Sequence, residues 1–298
     1  MQTTSTVLMI RPARFEFNSQ TAVNNSFQVK DNSSHVQESA LQEFEGLAAA
    51  LQKAGVEVMV VSDTPEPHTP DSIFPNNWIS FHAGHTICLY PMFAPNRRLE
   101  RKPGLIRALK EKTGIKNIVD LTRYEKENRF LEGTGSMVLD RQHRIAYACL
   151  SPRTDRLVLD EWCAAMEYTS VVFHALDSTG NAIYHTNVMM CIADRYAVIC
   201  LECILDIERP YVIEKVQQTG KEIISISREQ VTNFAGNMLQ VQNADGEKLL
   251  VMSSRAFDAL TGEQVKKMEH YNTIIHSPVP VIETNGGGSV RCMIAEVF

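Results

Sequence analysis

The chain has 298 residues, 44% of them hydrophobic and 21% charged, with a net charge of −6 and a sequence pI of about 5.9. That length can bury a large core, while the acidic balance offers no attraction to nucleic acid or to an anionic membrane surface. No apolar run approaches the roughly 20 residues that a membrane helix needs.

The opening MQTTSTVLMIRP has neither a basic start nor the apolar length of a signal peptide. The seven cysteines, at 88, 149, 163, 191, 200, 203 and 292, are an odd number scattered through apolar stretches. Reduced thiols and a cytoplasmic location are the expectation.

Residues 7–12 (VLMIRP) predict a strand, and the next twenty or so form a polar loop long enough for a functional role. Apolar spacing predicts an amphipathic helix over residues 36–54, stopped by Gly55, and then a buried strand over 56–62. TPEPHTPDSIFPNNW is rich in Pro and Asn and leads into a hairpin over 78–90.

From there one unit recurs. Hairpin 78–90 precedes a helix at 98–113 and a strand at 117–121. Hairpin 136–149 precedes a helix at 155–167 and the strand TSVVFHA. Hairpin 187–201 precedes a helix at 207–219 and the strand EIISI. Hairpin 237–252 precedes helical segments over 254–270 and the strand NTIIHS. The two strands left over, 7–12 and 290–297, pair in this reading into a fifth hairpin, completed by the helix 36–54 and the strand 56–62.

Self-similarity at a fixed period marks repeat architecture, and radial repetition limits exposed sheet edges. The expected fold is therefore α/β, a five-bladed pseudo-symmetric α/β propeller with a central active-site cavity. It forms a single domain over residues 1–298, with both termini in one blade.

The entrances to the five hairpins carry Asn77, Glu132, His185, Asn237 and Cys292, at intervals of 55, 53, 52 and 55 residues. A five-fold ring brings such positions to its axis. Cys292 follows Gly286, Gly287 and Gly288 inside an apolar, strand-like run, and glycine lets backbone approach a ligand closely.

Cysteine attacks as the thiolate, and an imidazole beside it can take a proton or activate water. A carboxylate can grip a planar N–H-bearing group through paired hydrogen bonds. The set fits addition of a thiolate to a planar carbon, loss of a nitrogen leaving group, and hydrolysis of the covalent intermediate. It calls for no metal and no cofactor.

The remaining clusters read as structure. His82 and His85 straddle a hairpin turn without acidic company. Cys200 and Cys203 read as buried core thiols, and Met189, Met190 and Trp162 as core. A homodimer is the expected assembly, since symmetric dimers are the commonest soluble oligomers.

FLEGTGSMV around Glu132, YHTN around His185 and GGGSVRCM around Cys292 resemble the motifs of the guanidino-modifying enzyme superfamily. Its members include arginine deiminases, dimethylarginine dimethylaminohydrolases and amidinotransferases. FAPNRRLE and LSPRTD are similar to substrate-binding segments of the dimethylarginine hydrolases. PDSIFPNNW, which contains Phe74, Asn76 and Asn77, resembles the loop that enters the guanidinium site. These matches run in order from Asp71 to Cys292.

The resemblance implies the five-bladed α/β propeller, with Cys292 as nucleophile, His185 as general acid/base and Glu132 gripping the reacting group. It makes Arg97 (or its neighbour Arg98) and Arg153 partners of a substrate α-carboxylate, and Asp71 a partner of the α-amino end. Relatives acting on arginine are expected to carry aspartate where Asn77 stands, and arginine deiminases also where Asn187 stands.

A desolvated guanidinium calls for paired anions, whereas an amide, both donor and acceptor, can meet a neutral ureido group. Citrulline is the substrate this implies, cleaved toward ornithine. The VLMIRP and TAVNN segments point the same way, being similar to a citrulline-utilising hydrolase branch. The alternatives are an arginine deiminase or dimethylarginine hydrolase, then an amidinotransferase, then an inactive binder of arginine-like ligands.

Overall fold

The computed structural model describes residues 1–31 and 35–298. Among them lie five three-stranded sheets, each built to one plan. The middle strand runs antiparallel to the first and parallel to the third, as it must when a tight hairpin is followed by a helical crossover.

Blade one has strands Ile79–His82, Thr86–Leu89 and Asn117–Asp120. Blade two has Val138–Asp140, Ile145–Cys149 and Thr169–Phe173. Blade three has Met190–Ile192, Tyr196–Ile199 and Glu222–Ser225. Blade four has Leu239–Gln242, Lys248–Ser253 and Thr273–Ser277. The closing blade joins the chain ends, with Thr6–Arg11 between Ala295–Val297 and Glu57–Ser62. The arrangement is the expected pseudo-five-fold α/β propeller.

Helices cover the outside. In Val36–Lys53 the residues Ala40, Phe44, Leu47, Ala48 and Leu51 are buried, the three-and-four spacing of one apolar stripe. Burying each of the larger side chains contributes about 1.5–3 kcal/mol. The helix stops before Gly55, whose φ of +85° suits a residue without Cβ. Arg156–Met166 starts where the Asp155 carboxylate accepts from the backbone N–H groups of Leu157 and Val158. Middle strands such as Tyr196–Ile199 are buried throughout, since both of their faces are covered.

Four local expectations change. The helix foreseen over 98–113 is two pieces, Pro95–Arg98 and Pro103–Thr113, because Pro103 has no N–H to continue a helix and sits well only at its start. The polar loop holds a helical turn, Ser19–Ala22, capped by Asn18. Cys292 lies in a 3-10 turn, Val290–Met293, and not in a strand; pairing with the first strand begins only at Ala295. His82 is buried, its Nε2 bonded to the Ser80 hydroxyl, so only His85 stays in the turn. Cys200 and Cys203 lie buried with their sulfurs 3.3 Å apart, and Met189, Met190 and Trp162 are core.

Candidate active site

Each blade enters its hairpin through one tight turn, and these turns carry the chemistry to the axis. They are Pro75–Asn77, Gly133–Ser136, Thr186–Val188, the turn closed by Asn237 N–H on Phe234 O, and Val290–Met293. Packing at the axis is close enough to demand glycine. A Cβ on Gly133, whose φ is +49°, would lie 2.3 Å from the carbonyl oxygen of Asn76. One on Gly135 would lie 2.5 Å from Asn77 Nδ2 and 2.7 Å from His185 Nδ1. FLEGTG is thus the segment against which blades one and three are pressed.

His185 and Glu132 meet directly, Nε2 to Oε2 at 2.8 Å, and both are buried. Burial works to raise the Glu132 pKa, but the Arg153 guanidinium, the bond from His185 and the charge on Arg97 together hold it down at about 2. Glu132 is therefore ionised and can only accept, so the proton lies on His185 Nε2 and the basic nitrogen is Nδ1. Burial, with Arg153 and Arg97 nearby, outweighs the pull of Glu132 and lowers His185 to about 4. The ring is neutral at pH 7.

Cys292 Sγ faces two amides, 3.4 Å from Asn237 Nδ2 and 3.6 Å from Asn187 Nδ2. Asn187 Oδ1 is buried without a partner. A buried acceptor left open is costly unless a ligand completes it.

The arginines are held differently from one another. Arg97 donates from Nε and Nη2 to the two carboxylate oxygens of Glu100 (2.8 and 3.0 Å), from Nη1 to Asn77 Oδ1 (2.7 Å) and from Nη2 to Phe74 O (3.1 Å). Burial pushes Glu100 up to about 7 against the pull of Arg97. Arg98, by contrast, turns away to the carbonyls of Met92 and Phe93.

Arg153 pairs with Glu132 at 3.5 Å and donates from Nε to Asn24 Oδ1 (2.8 Å) and from Nη2 to Thr21 O (2.7 Å). Its guanidinium lies over the Tyr184 ring, 4.9 Å from the centroid. Asp71 accepts from Asn18 and Thr21 at Oδ2, while its Oδ1 is buried and unpartnered; burial raises its pKa.

Of the residues singled out from the sequence, Asp71, Phe74, Asn77, Arg97, Arg153, His185 and Cys292 line one cavity, with Glu132 bonded to His185 and Asn187 beside the Cys292 sulfur. Asn76 does not reach it. It donates to the Thr134 hydroxyl and accepts from Asn77 Nδ2.

Thr21, Asn25 and Tyr184 also line the cavity, and none of them was foreseen as a site residue. Tyr184 stands inside the YHTN motif and donates to Gly287 O at 2.6 Å. Glu100 follows Arg97 by three residues, a helical spacing that could have betrayed it. Thr21, Asn24 and Asn25 stand in the TAVNN segment, whose resemblance marked the stretch without giving any of the three a role.

That loop covers the cavity. Asn25 Nδ2 donates to Gly287 O and Gln28 Nε2 to Asn285 O, while Thr21 and Asn24 hold Arg153. The cavity measures about 10 Å³, room for about one water, so an amino acid fits only after the lining rearranges. A wider groove of about 370 Å³ lies beside Phe27 and Phe234, away from Cys292, His185 and Glu132. Among the described residues, no group of His, Cys, Asp and Glu could hold a metal ion, and no helix is long and apolar enough to cross a membrane.

The family model described as "N,N dimethylarginine dimethylhydrolase, eukaryotic" matches residues 11–298. No curated protein sequence matches the chain. Solved structures do. The N-terminal domain of ArgZ, an arginine dihydrolase from the ornithine–ammonia cycle in cyanobacteria, solved with its product, is 18% identical with a TM-score of 0.77 over 98% of this chain and 97% of that one. AgrE in complex with L-arginine is 17% identical, TM-score 0.77, over 98% of this chain and 40% of that one. A dimethylarginine dimethylaminohydrolase carrying S-methyl-L-thiocitrulline as an adduct is 14% identical, TM-score 0.66, over 98% of each chain. At such identities the likeness is one of fold.

Proposed function

We propose that this chain, which belongs to the N,N dimethylarginine dimethylhydrolase family within the guanidino-modifying superfamily, hydrolyses a C–N bond of citrulline through a covalent Cys292 intermediate. The products are ornithine, carbon dioxide and ammonia.

Cys292 Sγ, as thiolate, adds to the ureido carbon. One carbon–nitrogen bond breaks, its electron pair leaving with the nitrogen, which takes the proton that His185 Nδ1 drew from the Cys292 thiol. Water then gives a proton to His185 Nδ1 and attacks the S-bound carbonyl carbon, and Sγ departs with the pair of the C–S bond. The carbamic acid released loses carbon dioxide, so the sum consumes citrulline and one water. Glu132 fixes the imidazole with Nδ1 as its base and offsets charge that develops on the ring.

Asn187 carries the choice of substrate. Its unpartnered Oδ1 stands beside the nucleophile, where a ureido group can present an N–H. Neither this position nor Asn77 supplies an anion. Glu132 is already matched by Arg153, and Glu100 by Arg97, so a desolvated guanidinium would meet no uncommitted carboxylate at this end.

The free Oδ1 of Asp71 suits the α-ammonium. Of the two arginines, Arg153 takes the α-carboxylate, since its bonds to the cover can be exchanged. Arg97, bound on both edges, positions Asn77. A single domain over residues 1–298, free thiols in the cytoplasm and a homodimer complete this reading; light scattering tests the last.

A second reading, hydrolysis of arginine or N,N-dimethylarginine, rests on family membership and sets the cation against Glu132 alone. Ammonia release with product identification separates the two, using citrulline, arginine and N,N-dimethylarginine, with Cys292→Ser as control. Ornithine from citrulline, lost in the variant, is the expected result. Citrulline accumulating from arginine refutes the substrate assignment and leaves the nucleophile standing.

A further inference from the structure

We infer that Asn237 is a catalytic residue of this site, the fourth blade's contribution, which holds the Cys292 sulfur as thiolate by donating a hydrogen bond to it. The inference rests on Cys292 being the nucleophile, but on no particular substrate.

The orientation of the Asn237 amide is fixed by its partners. The backbone N–H of Arg291 can only donate, and it lies 3.0 Å from Oδ1. Nδ2 is thereby turned the other way, where its two hydrogens meet the Asn187 carbonyl oxygen at 3.0 Å and Cys292 Sγ at 3.4 Å. All three partners of Oδ1 and Nδ2 are backbone or nucleophile, so the amide cannot flip without losing an acceptor for Arg291.

Asn237 is itself buried, and buried hydrogen bonds to a charged atom are the stronger kind. Asn187 Nδ2 adds a second donor at 3.6 Å. His185 is committed to Glu132 at Nε2. Among the described residues, the hydrogen bonds to this sulfur from side chains are thus those of two neutral amides, which favour the thiolate without adding a charge to the cavity. The backbone enforces the approach: a Cβ on Gly236 would lie 2.5 Å from the carbonyl oxygen of Val188, so only glycine lets this turn come so near the axis.

The test is alkylation of Cys292 by iodoacetamide, read by peptide mass, in the absence of substrate. The ratio of its rate at pH 7 to its rate at pH 9.5 reports the thiolate fraction. In Asn237→Ala the ratio is expected to fall about tenfold, the worth of one hydrogen bond to a charged group.

Asn237→Asp decides between roles. It keeps an acceptor for Arg291 but sets a carboxylate against the sulfur, so thiolate stabilisation predicts a ratio below that of the alanine variant. A purely structural role predicts that aspartate restores it. Asn237→Ser, which keeps a donor, is expected to fall between alanine and wild type and serves if either of the others fails to fold. An unchanged ratio in the alanine variant, or rescue by aspartate, overturns the inference. A wild-type Cys292 that does not label at pH 7 overturns instead the reading of Cys292 as nucleophile.

Discussion

Gly135→Ala is a one-carbon change whose consequence can be worked from distances. The added Cβ would lie 2.5 Å from Asn77 Nδ2 and 2.7 Å from His185 Nδ1, whereas ordinary contact begins at 3.4 Å. The two side chains must therefore retreat by about 0.9 and 0.7 Å, or the turn must shift by as much. His185 is tied to Glu132 at 2.8 Å and Asn77 to Arg97 at 2.7 Å, so neither moves alone.

A displacement near 1 Å of a group that transfers a proton costs about 100-fold in rate, and overpacking a buried site costs about 1–3 kcal/mol of stability. Steady-state ammonia release is expected to show kcat down about 100-fold with KM changed far less, because the proton-transfer geometry suffers more than ground-state binding. Thermal unfolding should show a folded, mildly destabilised protein. A Gly135→Ala enzyme within twofold of wild type would refute the placement of His185 and Asn77 at the reacting group.

Acid should weaken the fold through the same pair. His185 titrates at about 4 in the native chain and near 6.5 unfolded, so between those values the unfolded chain binds a proton that the native one does not. The His185 contribution is full above pH 6.5 and falls by on the order of 3 kcal/mol as pH drops to 4, while Glu100, raised from 4.5 to about 7, contributes in the opposite sense between pH 7 and 4.5. Glu132, lowered from 4.5 to about 2, extends the loss below pH 4.5. Urea unfolding of wild type and His185→Gln between pH 7.5 and 4 checks the His185 part, and a stability difference between the two that does not change with pH contradicts it.

Arg153→Ala strips buried Glu132 of its first counter-charge and should cost about 3–5 kcal/mol. It also removes the anchor of Thr21 and Asn24, so limited proteolysis should cut within residues 18–31 faster than in wild type. A variant unchanged in both measurements would show that Arg153 holds neither.

Much of this molecule was legible in order along the chain. The hairpin–helix–strand units have a period, and amphipathic spacing, Gly55 and Asp155 mark where helices stop and start. The interval of 52 to 55 residues placed Asn77, Glu132, His185, Asn237 and Cys292 at equivalent points of five units, because a ring of equal blades converts an even spacing into convergence.

Other features had no such period. The 3-10 turn around Cys292 and the split helix at Pro103 are local compromises between propensity and packing. The hold of Thr21 and Asn24 on Arg153 spans about 130 residues, and no spacing reports a bond between a loop in the first tenth of the chain and a turn in the middle. The direction of the Asn237 amide was decided by a backbone N–H 54 residues away. The neutral state of His185 follows from burial beside two arginines. Sequence names the groups that can react; their protonation and their partners arise only when distant turns are pressed together out of water.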